Sequence, residues 1–112
     1  VIRIIAFFRP HKLEEVKNAL GERGVTGITV TDVRGCGSSQ EPSEWMLGQE
    51  FVVAMPAQAR LEAVVPDGQV DEAVKAILAS ARTGRPGDGK IFLQRVEDAV
   101  RVRTGERGES AL

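Results

Sequence analysis

Two short stretches of the chain hold the residue types that grip phosphate. The first is Gly84-x-x-x-x-Gly89-Lys90. Its spacing matches the opening of a P-loop, where glycine backbone N–H groups cradle phosphate oxygens and a lysine adds charge. A P-loop, however, joins a strand to a following helix and continues with Ser or Thr for the metal. Here a helical pattern comes before, a strand pattern comes after, and the next residue is Ile91, so a P-loop NTPase is set aside. The physical content survives the failed motif. Gly87, Asp88 and Gly89 offer backbone N–H groups in a tight turn, and Lys90 supplies positive charge. An ordinary helix-to-strand turn is the competing account. The second stretch is Arg101-Val-Arg103. On a strand, alternation would put both guanidinium groups on one face, roughly 7 Å apart. Such a pair suits a polyphosphate, because each arginine can donate bidentate charge-assisted bonds. An exposed edge strand protected by charge would carry the same residues.

The elements that must position these groups can be read from periodicity. Residues 1 to 8 are β-branched and aromatic, a strand expected to be covered on both faces. Pro10 suits a first helical turn, and Leu13, Val16 and Leu20 recur at helical spacing, with Gly24 fitting a left-handed cap. A second strand is expected from Gly27 to about Gly35, with Ile28 and Val30 on one face and Thr29 and Thr31 on the other. Residues 36 to 50 have no useful periodicity and read as a long loop. Strand character returns from Phe51 to Pro66, a helix is expected from about Gln69 to Ala81, and Lys90 to Val96 forms a fourth main strand. Ala99 to Arg103 reads as a short fifth strand, and the polar tail from Thr104 as mobile on its own. The order β-α-β-β-α-β is the split β-α-β of an α+β, ferredoxin-like domain spanning 1–112. Two helices on one face of a sheet leave the other face bare, and here that face carries Ile, Val and Phe. Self-association is the simplest cover.

Composition narrows the function. A formal charge of -1 argues against a nucleic-acid binder that works by bulk charge. The single cysteine, Cys36, excludes an internal disulfide and a cysteine-built zinc site, and one histidine gives too few nitrogen ligands for a typical transition-metal centre. Cys36 is expected to be a small buried thiol, and His11 to be solvated at a helix start. The opening apolar run is broken by Arg3 and ends at Arg9-Pro10, too short to cross a bilayer. A cytoplasmic protein without membrane insertion is the expectation.

Four segments taken together resemble the PII nitrogen-regulatory family over nearly the whole chain. They are Arg9-Pro-His-Lys-Leu-Glu-Glu-Val, Gly27-Ile-Thr-Val-Thr-Asp-Val-Arg-Gly, Ala81-Arg-Thr-Gly-Arg-Pro-Gly-Asp-Gly-Lys-Ile-Phe and Val102-Arg-Thr-Gly-Glu-Arg-Gly. The last two are close to family signatures. The resemblance implies a homotrimer with ADP or ATP bound in clefts between neighbours. Thr29 and Val64 would lie near the adenine and Glu62 near the nucleoside. Gly87, Asp88, Gly89 and Lys90 would hold phosphates, Arg101 and Arg103 would complete the site, and Gly35 and Gly37 would bring backbone close to the ligand. The loop at about 36–54 would engage a transporter or metabolic enzyme, with Trp45, Met46 and Leu47 as an apolar tip. That tip could equally fold back as plain packing.

The departures from the family bear on its second ligand. Where the family has a basic residue and a glutamine that helps hold magnesium and 2-oxoglutarate, this chain has Ser38 and Ser39. Where the family has a lysine facing the 2-oxoglutarate carboxylate, it has Gln58. Losing that cation removes about 1.5–3 kcal/mol, or roughly tenfold or more in affinity. Weak or absent 2-oxoglutarate binding is therefore expected. The polar space left by Ser38, Ser39 and Gln58 suits a smaller anion such as bicarbonate, the co-ligand proposed for the carboxysome-associated PII-like group. Phe51 stands where many relatives carry a nucleotidylated tyrosine, so that modification is excluded at this position. The alternatives are an orthodox nitrogen regulator whose loop rearranges around 2-oxoglutarate, a slow ATPase, and a purely structural trimer. No residue is an evident general base, so a non-enzymatic regulator leads.

Overall fold

The computed structural model describes residues 1–37, 43–46, 49–52 and 55–112, of which 43–46 and 49–52 are described by backbone alone. Strand β1 spans Ile2–Phe8, α1 Leu13–Glu22, β2 Ile28–Arg34, β3 Ser43–Met46, β4 Gln49–Val52, β5 Ala57–Val65, α2 Val70–Ala81 and β6 Gly89–Arg95. Four strands form one sheet in the order β2-β5-β1-β6, with every neighbouring pair antiparallel. This is the α+β, ferredoxin-like arrangement, with β1 and β5 central.

The period of two along the strands decides what is buried. Ile4, Ala6 and Phe8 of β1 and Ala59, Leu61, Ala63 and Val65 of β5 point to one face, where they meet Val16 and Leu20 of α1 and Ala73, Ala76, Ile77 and Ala81 of α2. Small alanines on α2 let the helix lie close to the sheet, and Leu78 remains largely exposed on its outer side. Acidic pairs, Glu14 and Glu15 in α1 and Asp71 and Glu72 in α2, occupy the first turns, where they complement the helix dipole. Beyond α1, Gly24 takes a φ of 80°, and the N–H of Val25 closes onto the Leu20 carbonyl.

Several expectations are corrected. First, β1 is covered on one face only. Arg3, Ile5 and Phe7 lie half-buried on the other face, because both helices pack on the same side. Second, the strand expected from Phe51 splits: Gln49–Val52 pairs with Ser43–Met46 as a separate two-stranded ribbon, Trp45 opposite Glu50, and the sheet strand begins at Ala57. A ribbon two strands wide buries no continuous face, so it leaves little periodic signal. Third, Ala99 to Arg103 is not a strand. Its ladder is one bridge, Val100 to Arg107, since the Gly105 N–H closes on the Arg101 carbonyl and reverses the chain. Residues 104–112 fold back over this segment, ending in a single 3-10 turn at Gly108–Ala111. Cys36 is exposed rather than buried, because it follows the last residue of β2 and leaves the sheet.

Candidate functional site

The glycine-rich turn joins α2 to β6, and Asp88 organises it from within. Its carboxylate accepts hydrogen bonds from the backbone N–H groups of Thr83 (2.8 Å) and Gly84 (2.9 Å), from the Thr83 hydroxyl, and from Nε of Arg9 (3.2 Å). Partial burial favours the protonated form, but the bonds from Thr83, Gly84 and Arg9 outweigh it and hold Asp88 well below the usual carboxylate range. A carboxylate satisfied in this way faces its own turn rather than an incoming anion. The N–H group of Gly87 has no acceptor among the described residues, while residues 86 and 87 form the bend of a tight turn that Asp88 closes.

Glycine is required at both ends of this short run. Gly87 adopts a φ of 94° and Gly89 a φ of 116°. A Cβ at Gly89 would lie 1.7 Å from the Phe7 carbonyl oxygen, an impossible approach. Lys90, the next residue, is exposed on the sheet face away from the helices, beside Phe7. On the helix side of β6 a groove of about 470 Å³ is floored by Phe8, Val74, Ile77, Ala81 and Ile91. That floor is apolar and suits packing rather than phosphate.

The face without helices carries a charged and aromatic band. Glu62 pairs with Arg3 at 2.7 Å and with Arg60 at 2.5 Å. The Arg3 hydrogen bond holds its carboxyl below the usual range against partial burial, and the Arg3 and Arg60 charges add to the effect. Phe7 meets Phe92 edge to face at 6.2 Å between ring centroids, and the Arg60 guanidinium lies 6.0 Å from the centre of the Phe7 ring. Thr29 stands directly opposite Glu62 in the β2–β5 register, and Val64 is opposite Arg3.

The expected site residues fall into two groups at opposite ends of the sheet. Gly87–Lys90 sit at the end where β1 finishes, as do Gly35, whose N–H bonds the Pro56 carbonyl at 3.2 Å, and Gly37. Gln58 is at this end too, opposite Val33. Val64 lies toward the other end: Lys90 is beside Phe7 and Val64 beside Arg3, four residues or about 13 Å apart along β1. Arg101 and Arg103 follow the far end of β6, beyond Arg95. Arg101 is paired with Glu106 at 3.2 Å and donates to the Leu112 carbonyl, while Arg103 is exposed at a turn. Thr29 and Glu62 occupy the middle of the sheet. Among the described residues no hydrogen bond or ion pair joins the glycine turn to the arginine pair within a single chain. Ser38, Ser39 and Leu47 lie outside the described residues, as do the side chains of Trp45, Met46 and Phe51.

Sequence patterns assign no role to three side chains at this site. Arg9 and Thr83 lie in segments that resemble the family but carry no assigned contact there, and the folded chain supplies one: Arg9 meets Asp88 across 79 positions of sequence, Thr83 meets it from within the turn, and Arg60 pairs with Glu62. Among the described residues no cluster of His, Cys, Asp and Glu could hold a metal ion, and no helix is long and apolar enough to cross a membrane.

Comparison with known proteins fits this geometry. The family model described as nitrogen regulatory protein P-II matches residues 1–106. The nitrogen regulatory protein P-II of Haemophilus influenzae is 44% identical over 110 residues, 98% of each chain. Those of Rhodospirillum rubrum and Azospirillum brasilense are each 46% identical over 110 residues, again 98% of each chain. With a family match over almost its whole length, the β-α-β-β-α-β order and the glycine turn in place, the chain belongs to the P-II nitrogen regulatory signalling family.

Proposed function

We propose that this protein is a homotrimeric signalling regulator that binds ADP and ATP in clefts between subunits. The observation that carries the proposal is the division of the site. One end of the sheet offers glycine backbone, a Gly87 N–H with no acceptor among the described residues, and Lys90; the other offers Arg101 and Arg103. Two chains set end to end join these halves, and the bare sheet face with Ile5, Phe7 and Phe92 supplies an apolar surface for the contact. The turn suits phosphate because the Asp88 charge is neutralised inside it. Thr29, Val64 and Glu62 are the adenine and nucleoside contacts, with Gly35 and Gly37 approaching through backbone.

Nucleotide state acts on the segment at 36–54, which roots at Gly35 and Gly37 and engages a transporter or metabolic enzyme. A ligand biases that segment only by binding its two arrangements with different affinity. Regulation rather than catalysis is the output. Gln58, Ser38 and Ser39 weaken 2-oxoglutarate binding relative to a site with lysine and glutamine, by the loss of a charge-assisted contact. The names of the relatives favour a second reading, an orthodox nitrogen regulator that senses 2-oxoglutarate through other groups.

Calorimetric titration with ADP and with ATP, alone and with magnesium plus 2-oxoglutarate or with bicarbonate, separates these. Nucleotide binding indifferent to 2-oxoglutarate supports the first reading, and a response to bicarbonate would identify the small anion. A strong ATP-dependent 2-oxoglutarate signal establishes the second. No binding of either nucleotide would overturn both.

A further inference from the structure

We propose that Arg9 is the positioning residue of the phosphate turn: it holds residues 86–88 in the conformation that leaves the Gly87 N–H group free for phosphate. The proposal rests on the nucleotide reading above and deepens it, because it assigns control of affinity to a side chain that does not itself contact the nucleotide.

Thr83 and Asp88 brace the turn from inside. Among the described residues, Arg9 is the one brace that comes from another element. It spans the turn with a fork: Nη2 donates to the Pro86 carbonyl at 2.7 Å, and Nε donates to the Asp88 carboxylate at 3.2 Å. Gly87 lies between those two anchors. A Cβ built on Gly87 would come within 3.3 Å of Arg9 Nη2, so the guanidinium is packed against the glycine backbone. The base of the arginine is itself fixed. Phe8 before it is buried, Pro10 after it has a restricted φ, and the Arg9 carbonyl accepts the Lys12 N–H at 3.0 Å. The side chain is about three-quarters buried, with an exposure of 23%. A planar guanidinium can serve a carbonyl and a carboxylate at once, whereas a lysine ammonium at this position cannot reproduce the fork. Pairing with Asp88 also absorbs most of the charge of Arg9, which separates its role from that of Lys90.

The test compares ADP titrations of the wild type, Arg9→Ala, Arg9→Lys and Lys90→Ala, together with backbone amide resonances of Gly84, Gly87 and Gly89 without ligand. Arg9→Ala is expected to weaken ADP roughly 10- to 100-fold, the range set by losing hydrogen bonds to a charged group, and to shift those amide resonances. Arg9→Lys falls between, and millimolar guanidinium restores part of the Arg9→Ala loss while leaving the wild type unchanged. Lys90→Ala weakens ADP with the amides in place, as expected of a direct contact. ADP binding by Arg9→Ala within about twofold of the wild type would overturn the assignment. Affinity lost without any amide shift would overturn it too. Should Arg9→Ala fail to fold, Arg9→Lys carries the same two outcomes. A wild type that binds neither ADP nor ATP sinks the nucleotide reading and this inference together; a wild type that binds while the Arg9 variants bind equally sinks this inference alone.

Discussion

An acidic residue in the middle of the proposed phosphate turn would ordinarily repel an anion, and the donors around Asp88 offset that difficulty. They also make the turn sensitive to acid. The folded-state pKa of Asp88 lies below its unfolded value, so its contribution to stability is fully present above about pH 4 and is lost as the pH falls through the lower folded value. Asp88→Ala is therefore expected to destabilise the protein at pH 7 and to cost progressively less as the pH drops below about 4. Urea unfolding of both proteins across that range checks it, and a penalty independent of pH would contradict the account. Gly89 gives a sharper case. With a Cβ placed 1.7 Å from the Phe7 carbonyl, Gly89→Ala must push β6 away from β1. A loss of at least about 2 kcal/mol is expected by urea unfolding, together with loss of ADP binding.

At the scale of elements, the segment after β6 is held by one carboxylate. Asp98 accepts from the backbone of Ala99 (2.8 Å) and Gly108 (3.2 Å) and from Arg107 (2.5 Å), which ties the two arms of the returning chain together. Asp98→Ala is expected to speed hydrogen exchange at the Gly108 amide while leaving the β1 amides unchanged; equal protection in both proteins would show that the tail is held by other contacts. This segment also marks the limit of what the sequence discloses. β1, β5 and both helices are legible because each buries a periodic set such as Ile4, Ala6 and Phe8 or Val16 and Leu20, whereas β2 and β6 bury no residue in the single chain and show only through their β-branched and apolar content. Arg101-Val-Arg103 alternates like a strand, yet a single turn at Gly105 decides its shape, and alternation over three residues cannot reveal that. The residue types of the glycine turn mark it as a candidate phosphate cradle, with an ordinary helix-to-strand turn as the competing account. The role of Arg9 was not legible, since its partners lie at the other end of the chain.

For the whole molecule, the bare sheet face is the feature that calls for a partner. Phe92 is half exposed and stacks edge-on with Phe7, a pair that water covers poorly. In the proposed assembly, Phe92→Glu places a charge in the subunit contact without entering the core beneath the helices. It is expected to give a folded monomer, with light scattering reporting about one third of the wild-type mass and circular dichroism unchanged. A Phe92→Glu protein of unaltered mass would move the contact to another face. Ligand linkage gives the complementary measure: ADP at about 100 times its Kd should raise stability by about 2.7 kcal/mol, and only where the assembly is intact.

The separation of Lys90 from Arg103 at opposite ends of the sheet has a genetic consequence. In a ring of three, each cleft would take its lysine from one subunit and its arginine pair from the next. In the proposed assembly a Lys90→Ala chain and an Arg103→Ala chain would each be inactive as pure rings. Mixed rings of either ratio nevertheless contain one junction at which both defects fall outside the cleft. Two silent alleles expressed in one cell would thus complement each other, and each would partly poison a wild-type copy by spoiling the shared cleft to which it contributes the altered residue.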